Sequence, residues 1–205
     1  MSGAGEGAGQ GQNEIVTAAL LVIGDEILSG GNFHGESLAF QLDFLAIALA
    51  ALAGISERRI DRLVNPALNE ELPPFLAGHA GLESGLMMAQ VTAASLVAEN
   101  SVLAHPASTA SITTSGNKED FVSMGMTSAV KLQRIVRNAR NVLAIETLAA
   151  ARALDLLAPL KSSAALEEAR TRIRGVSAPI TGDRPFYRDI AALEALIRSG
   201  QLASL

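Results

Sequence analysis

Cysteine and tryptophan are absent from this 205-residue chain, and aromatic residues make up only 3% of it. The first absence rules out disulfides, thiol nucleophiles and cysteine-ligated zinc. With so few rings, apolar bulk falls to alanine and leucine, which suits close-packed helices better than a β-sandwich. Charge is scarce as well: 18% of residues are charged against 49% hydrophobic, and the mean hydropathy is +0.29. That balance predicts faces meant for other subunits. The net charge of -5 and pI near 5.2, with no Lys/Arg cluster along one face, argue against a nucleic-acid binder. A run from Phe44 to Ile55 lacks charge, but it falls short of the roughly 20 residues that cross a bilayer, so a buried helix and no membrane span are predicted. No basic residue precedes the apolar run from Ile15 to Ile23, and Asp25 and Glu26 follow it. Export is therefore not expected, and a cytoplasmic location is.

What is present reads as helix after a short β segment. Residues 1–12 are Gly/Ala/Gln-rich and predict a disordered tail. The β-branched run Ile15 to Ile23, closed by Gly24-Asp25, predicts a strand or hairpin within 13–30. From Glu36, the recurrence of Leu38, Leu42, Leu45 and Leu49 predicts a helix covered on most sides. A second runs from about Leu82 to Leu103, stopped by His105-Pro106. No proline interrupts Lys118 to about Leu157, where Val122, Met126, Val130, Ile135, Val142, Ile145, Leu148 and Leu156 mark one apolar face. Such a helix would be roughly 60 Å long, more than a compact chain of this size covers, so a partner is implied. Two more, Ala164 to Arg174 and Arg184 to Ser199, flank Pro179 and Gly182.

Several positions could carry chemistry. In Ser29-Gly30-Gly31-Asn32-Phe33-His34-Gly35, adjacent glycines allow a tight turn and close approach of a ligand or chain. Taken alone, Phe33 reads as a core aromatic and His34 as a turn histidine. Asn117 reads as an N-cap, with Glu119 and Asp120 opposing the positive end of the helix dipole. His79 and His105 stand at no metal-ligand spacing, so no metal site is predicted. Between Ser56 and Arg62, Arg58, Arg59 and Arg62 are expected to pair with Glu57 and Asp61.

The glycine motif is followed by Ser56-Glu57-Arg58-Arg59-Ile60, Leu72-Pro73-Pro74-Phe75-Leu76, Gly81-Leu82-Glu83-Ser84-Gly85, Thr92-Ala93-Ala94, Glu99-Asn100 and Glu119-Asp120-Phe121-Val122-Ser123-Met124-Gly125. In that order and spacing, residues 31–205 resemble the C-terminal part of histidine ammonia-lyases, within the aromatic amino acid ammonia-lyase family. The resemblance implies a mainly α, long-helix bundle of the L-aspartase-like type, with the short β segment ahead of it. The reaction it implies is loss of ammonia from L-histidine to give trans-urocanate, in a cytoplasmic homotetramer whose sites draw on several subunits. Carried over by motif, Glu119 is the active-site carboxylate near the substrate imidazole, while Phe33 lines the pocket with Asn32 and His34 beside it. Lys118 departs from the glutamine that usually precedes the glutamate.

The family's electrophile, a methylidene-imidazolone, forms from an internal Ala-Ser-Gly. Ala-Ser occurs here at 94, 107, 110 and 203, followed by Leu96, Thr109, Ile112 and Leu205. The chain alone is therefore expected to be inactive, its partner being itself, a full-length lyase or an N-terminal lyase half. The alternative is a non-catalytic helical oligomerisation module or a truncated or chimeric gene product. Residues 13–29 also resemble the opening strand of the molybdopterin-binding domain of competence-damage-inducible proteins, through Ile23-Gly24-Asp25-Glu26-Ile27-Leu28-Ser29-Gly30. A junction between unrelated sequences is favoured there over the strand that precedes Gly-Asn-Phe-His-Gly in the lyases.

Overall fold

A computed structural model describes residues 35–119 and 122–203. Among them it is helical, with no strand: α1 Glu36–Val64, α2 Met87–Leu103, α3 Gly125–Leu156, α4 Ala164–Val176 and α5 Tyr187–Arg198. The predicted β segment and tail, residues 1–30, lie outside the described residues.

Local chemistry sets the helix ends. α1 stops where Pro66 bars Asn65 from helical geometry, and the Asn65 side chain accepts the Ala67 N–H at 3.0 Å. α2 stops just before His105-Pro106, as predicted, but it starts at Met87 because Leu82 to Leu86 are spent in turns around Gly81 and Gly85, both at positive φ. α4 is capped by Ser163, whose hydroxyl accepts from Leu166 N–H at 3.4 Å, while Glu167 reaches back to the Ser162 N–H at 2.9 Å. Gly200, at φ 75°, closes α5.

The long third helix starts later than the sequence suggests. Asn117 is not its N-cap: Ser115, Gly116 and Asn117 form a separate turn, all at positive φ, and α3 begins only at Gly125. Glu119 therefore lies outside the reach of the α3 dipole. At 32 residues, the helix is about 48 Å long at ~1.5 Å per residue.

The chain divides into two compact units, Met1–Leu45 with His105–Leu132, and Ala46–Ala104 with Gln133–Leu205. In the second, Ile60, Val64, Leu76, Leu86, Val142, Ile145, Leu148 and Leu193 form the core. Full burial of each such side chain contributes about 1.5–3 kcal/mol. Asn100, fully buried on α2, faces Asn138 of α3, whose amide donates to Asn100 Oδ1 at 3.0 Å and Glu99 Oε2 at 2.6 Å. Asp155, near the end of α3, holds Arg170 and Arg174 of α4 at 2.8 and 2.6 Å, and Arg140 meets Glu194 of α5 at 3.2 Å. In the first unit, the buried side chains other than Leu132 are small or polar: Ala39, Asp43, Ser108, Ser123 and Ser128.

The expected burial of the Phe44 to Ile55 run is not what forms. Over residues 39–56 the buried positions of α1 are Ala39, Asp43, Ala46, Ala53 and Ser56, whereas Phe44, Leu45, Ile47, Leu52 and Ile55 are exposed. Small side chains admit close helix approach, leaving the large ones to point outward. By length and composition alone this helix could cross a membrane.

Candidate functional site

Glu119 sits at the base of a tight hairpin in the first unit. Thr114 and Glu119 pair across it, Thr114 N–H to Glu119 O at 2.9 Å and Glu119 N–H to Thr114 O at 3.3 Å. At the tip, three consecutive left-handed residues, Ser115, Gly116 and Asn117, turn the chain. Glycine adopts that conformation freely and asparagine more readily than other residues, so the strain, about 1 kcal/mol or more, falls mainly on Ser115. Strained backbone of this kind persists where surrounding contacts over-determine it. Glu119 is half-buried, and its neighbour Lys118 is exposed. Beyond the hairpin, Val122 N–H donates to Ser111 Oγ at 3.0 Å, and the buried Ser123 hydroxyl accepts from Gly125 N–H at 3.3 Å. The remaining predicted site residues, Asn32, Phe33 and His34, lie outside the described residues.

Polar clusters of the second unit went unread in the sequence. Glu83 accepts from the backbone N–H of Gly78 and His79 at 2.9 and 3.3 Å, and its other oxygen lies 3.3 Å from His79 Nδ1. The His79 contact, helped by these amides, lowers the Glu83 carboxyl below its ordinary value. Asp183 accepts from Ser84 and Gly85 N–H at 2.8 and 2.9 Å. Arg152, 8% exposed, donates to Leu76 O at 3.1 Å and Ile180 O at 2.7 Å, and burial pushes its pKa down. These residues tie the loops 73–86 and 177–186 together.

The charged end of α1 pairs differently from expectation. Arg58 meets Glu57 at 2.6 Å and Asp61 at 3.5 Å, but Arg59 pairs with Glu146 of α3, which also accepts from the Ser56 hydroxyl. Arg62 makes no ion pair among the described residues. A residue one helical turn from its neighbour in sequence is not obliged to choose it over a carboxylate presented by another helix. Clefts of about 320 and 410 Å³ flank the Arg59–Glu146 pair, and a groove of about 570 Å³ runs between Met88 and Tyr187. None has Glu119 in its lining. Tyr187, exposed, accepts from Arg188 Nε at 2.9 Å.

Of the Ala-Ser pairs, none is followed by glycine; Ser95 lies inside α2, Ser108 is buried with its N–H on Asp43, and Ser111 receives Val122.

Against known proteins, residues 11–175 match the family model for aromatic amino acid lyases. The chain is 70% identical over 179 residues to a histidine ammonia-lyase of Koribacter versatilis and 55% identical to one of Sorangium cellulosum, matches that take in 87% of this chain and 35% of each relative. It superposes on the crystal structure of histidine ammonia-lyase from Trypanosoma cruzi with a TM-score of 0.81 at 48% identity, covering 85% of this chain and 34% of that one. The tyrosine aminomutase of Streptomyces globisporus gives 0.81 at 38% identity, covering 85% and 33%. The chain thus spans about a third of the length of these relatives.

Proposed function

Because the chain belongs to the aromatic amino acid lyase family, we propose that it is the C-terminal part of a histidine ammonia-lyase, contributing to a site that converts L-histidine to trans-urocanate and ammonia. The observation that carries this reading is the 70% identity over 179 residues to a protein of that name. A shared helical bundle would not suffice, since an aminomutase has the same fold. Glu119 is the carboxylate this chain brings toward the substrate imidazole, presented by its strained hairpin. Phe33, with Asn32 and His34 beside it, lines the same pocket. The electrophile must come from an Ala-Ser-Gly elsewhere, supplied by another chain or a preceding segment.

The exposed apolar face of α1 supports a homo-oligomer or a complex with the rest of a lyase. The same face also fits a second reading, a non-catalytic assembly module. Residues 13–30 keep both readings, a junction with a molybdopterin-type segment and the strand that precedes the lyase motif.

The decisive experiment replaces the matching third of a full-length histidine ammonia-lyase with this chain and follows urocanate absorbance. The chimera should be active, and the chain alone should not. In the chimera, Glu119→Gln should cost about 100-fold in kcat, a loss typical of removing one charged group from a dry site. Lys118→Gln should be neutral or beneficial. Equal losses from both substitutions, or an inactive but folded chimera, would leave the assembly module as the better account.

A further inference from the structure

Asp43 is one of two buried charges on α1, Glu57 being the other, and 2% of its side chain is exposed. Its Oδ2 accepts the Ser108 N–H at 2.8 Å, and Oδ1 lies 3.1 Å from Lys131 Nζ of α3, itself only 15% exposed. The ammonium of Lys131 also donates to the His105 carbonyl. Both ends of the short segment 105–108 are thereby gripped, one by each partner of a buried ion pair.

That segment leads directly into the hairpin. Three residues on, Ser111 Oγ receives Val122 N–H, closing a loop that encloses the Thr114–Glu119 pair and the turn beyond it. The strained turn at 115–117 has no core of its own: residues 111–118 are exposed. Its geometry has to be imposed from its base. An ion pair is a poor choice there for stability alone, because desolvating two charges offsets most of their attraction and an apolar pair of similar volume would serve as well. What an apolar pair lacks is direction, since it cannot hold the Ser108 N–H and the His105 carbonyl at fixed places.

We infer that Asp43 and Lys131 are positioning residues, a buried ionic clamp that holds segment 105–108 and through it the hairpin that presents Glu119. This rests on the role proposed for Glu119, but the test of the clamp does not depend on it.

Amide hydrogen exchange of the full chain reads the clamp directly. Asp43→Ala and Lys131→Ala should each speed exchange at Ser108, Thr114, Glu119 and Val122 at least about tenfold, leaving Val142, Ile145 and Leu148 unchanged. The double variant should be no worse than either single one, because the two act as a unit. Lys131→Arg should restore the protection lost in Lys131→Ala. Should Asp43→Ala fail to fold, Asp43→Asn, which keeps an acceptor for Ser108, replaces it with the same pattern at smaller amplitude. In the active chimera, Asp43→Asn should lower kcat about tenfold with little change in KM, as expected for a misplaced group. Exchange that rises equally in the α3 core, additive losses in the double variant, or no change at 108–122 would overturn the clamp. An inactive chimera with the exchange pattern intact would count against the Glu119 reading instead.

Discussion

Replacing Gly85 by alanine should be among the most damaging single-methyl changes in this chain. Gly85 has φ +54°, and a Cβ there would lie 2.5 Å from Phe75 O and 3.0 Å from Ala77 N and Cα. None of these atoms can yield cheaply, because Phe75 O already accepts the Leu86 N–H at 2.8 Å and the Gly85 N–H is held by Asp183 at 2.9 Å. The left-handed conformation costs a non-glycine residue about 1–2 kcal/mol. Breaking one or both hydrogen bonds adds about 1 kcal/mol apiece. The sum is about 2–4 kcal/mol, roughly 10 °C of melting temperature for a chain of this size. Urea unfolding followed by circular dichroism at fixed protein concentration would measure it. Gly116→Ala is the matched control: φ is +63°, but nothing lies within 4 Å of its Cβ, so only the conformational cost of about 1–2 kcal/mol remains. Gly54→Ala, in mid-helix and equally unobstructed, should stabilise by about 0.5–1 kcal/mol. If Gly85→Ala proved no worse than Gly116→Ala, the close approach of backbone at Phe75 would not be real.

Arg152→Met should cost about 2–4 kcal/mol in urea unfolding, since it strips the donors from two buried carbonyls, Leu76 and Ile180; a change under about 0.5 kcal/mol would mean water replaces the guanidinium. Ser163→Ala should lose about 1 kcal/mol through its cap on α4, read by the same assay, and Ser163→Asp should retain it. Burial alone would raise the Asp43 carboxyl, but the Ser108 N–H and Lys131 outweigh it and hold the group below its ordinary value. Its contribution is therefore complete above the unfolded carboxylate pKa of about 3.9 and lost as pH falls through the lower folded value. An acid titration should show 105–122 losing exchange protection in that window, and Asp43→Asn should flatten the dependence.

How much of this was legible in the sequence varied with what sets each feature. The helix stop written in proline at Pro106 was readable because the restriction is local. The family was readable because many short strings fall in order. The face of α1 was misread: leucine periodicity pointed to Leu38, Leu42 and Leu45, yet packing selected Ala39, Ala46 and Ala53, since what decides is how closely a neighbour can approach, and periodicity does not carry that. Likewise Asn117 has the chemistry of a cap, but Ser115 and Asn117 share left-handed geometry with Gly116, and no rule of local propensity foretells three such residues together. Asp43 was visible only as the edge of an apolar run. Its partners lie 65 and 88 residues away in sequence, beyond any pattern of spacing.

The amide pair of Asn100 and Asn138 has a consequence for how α2 and α3 find each other. The core residues that the two helices contribute are alanine, valine, leucine and isoleucine, and aliphatic surfaces of that kind discriminate weakly against sliding by one helical turn, about 5.4 Å. After such a slide each carboxamide would meet aliphatic side chains, leaving two buried polar groups unpaired at a cost of about 1–3 kcal/mol each. Sequence length between the helices does not forbid the shift, and neither does the apolar core. The pair thus acts as an alignment mark, selecting a single register from several that hydrophobic burial alone would leave nearly equal.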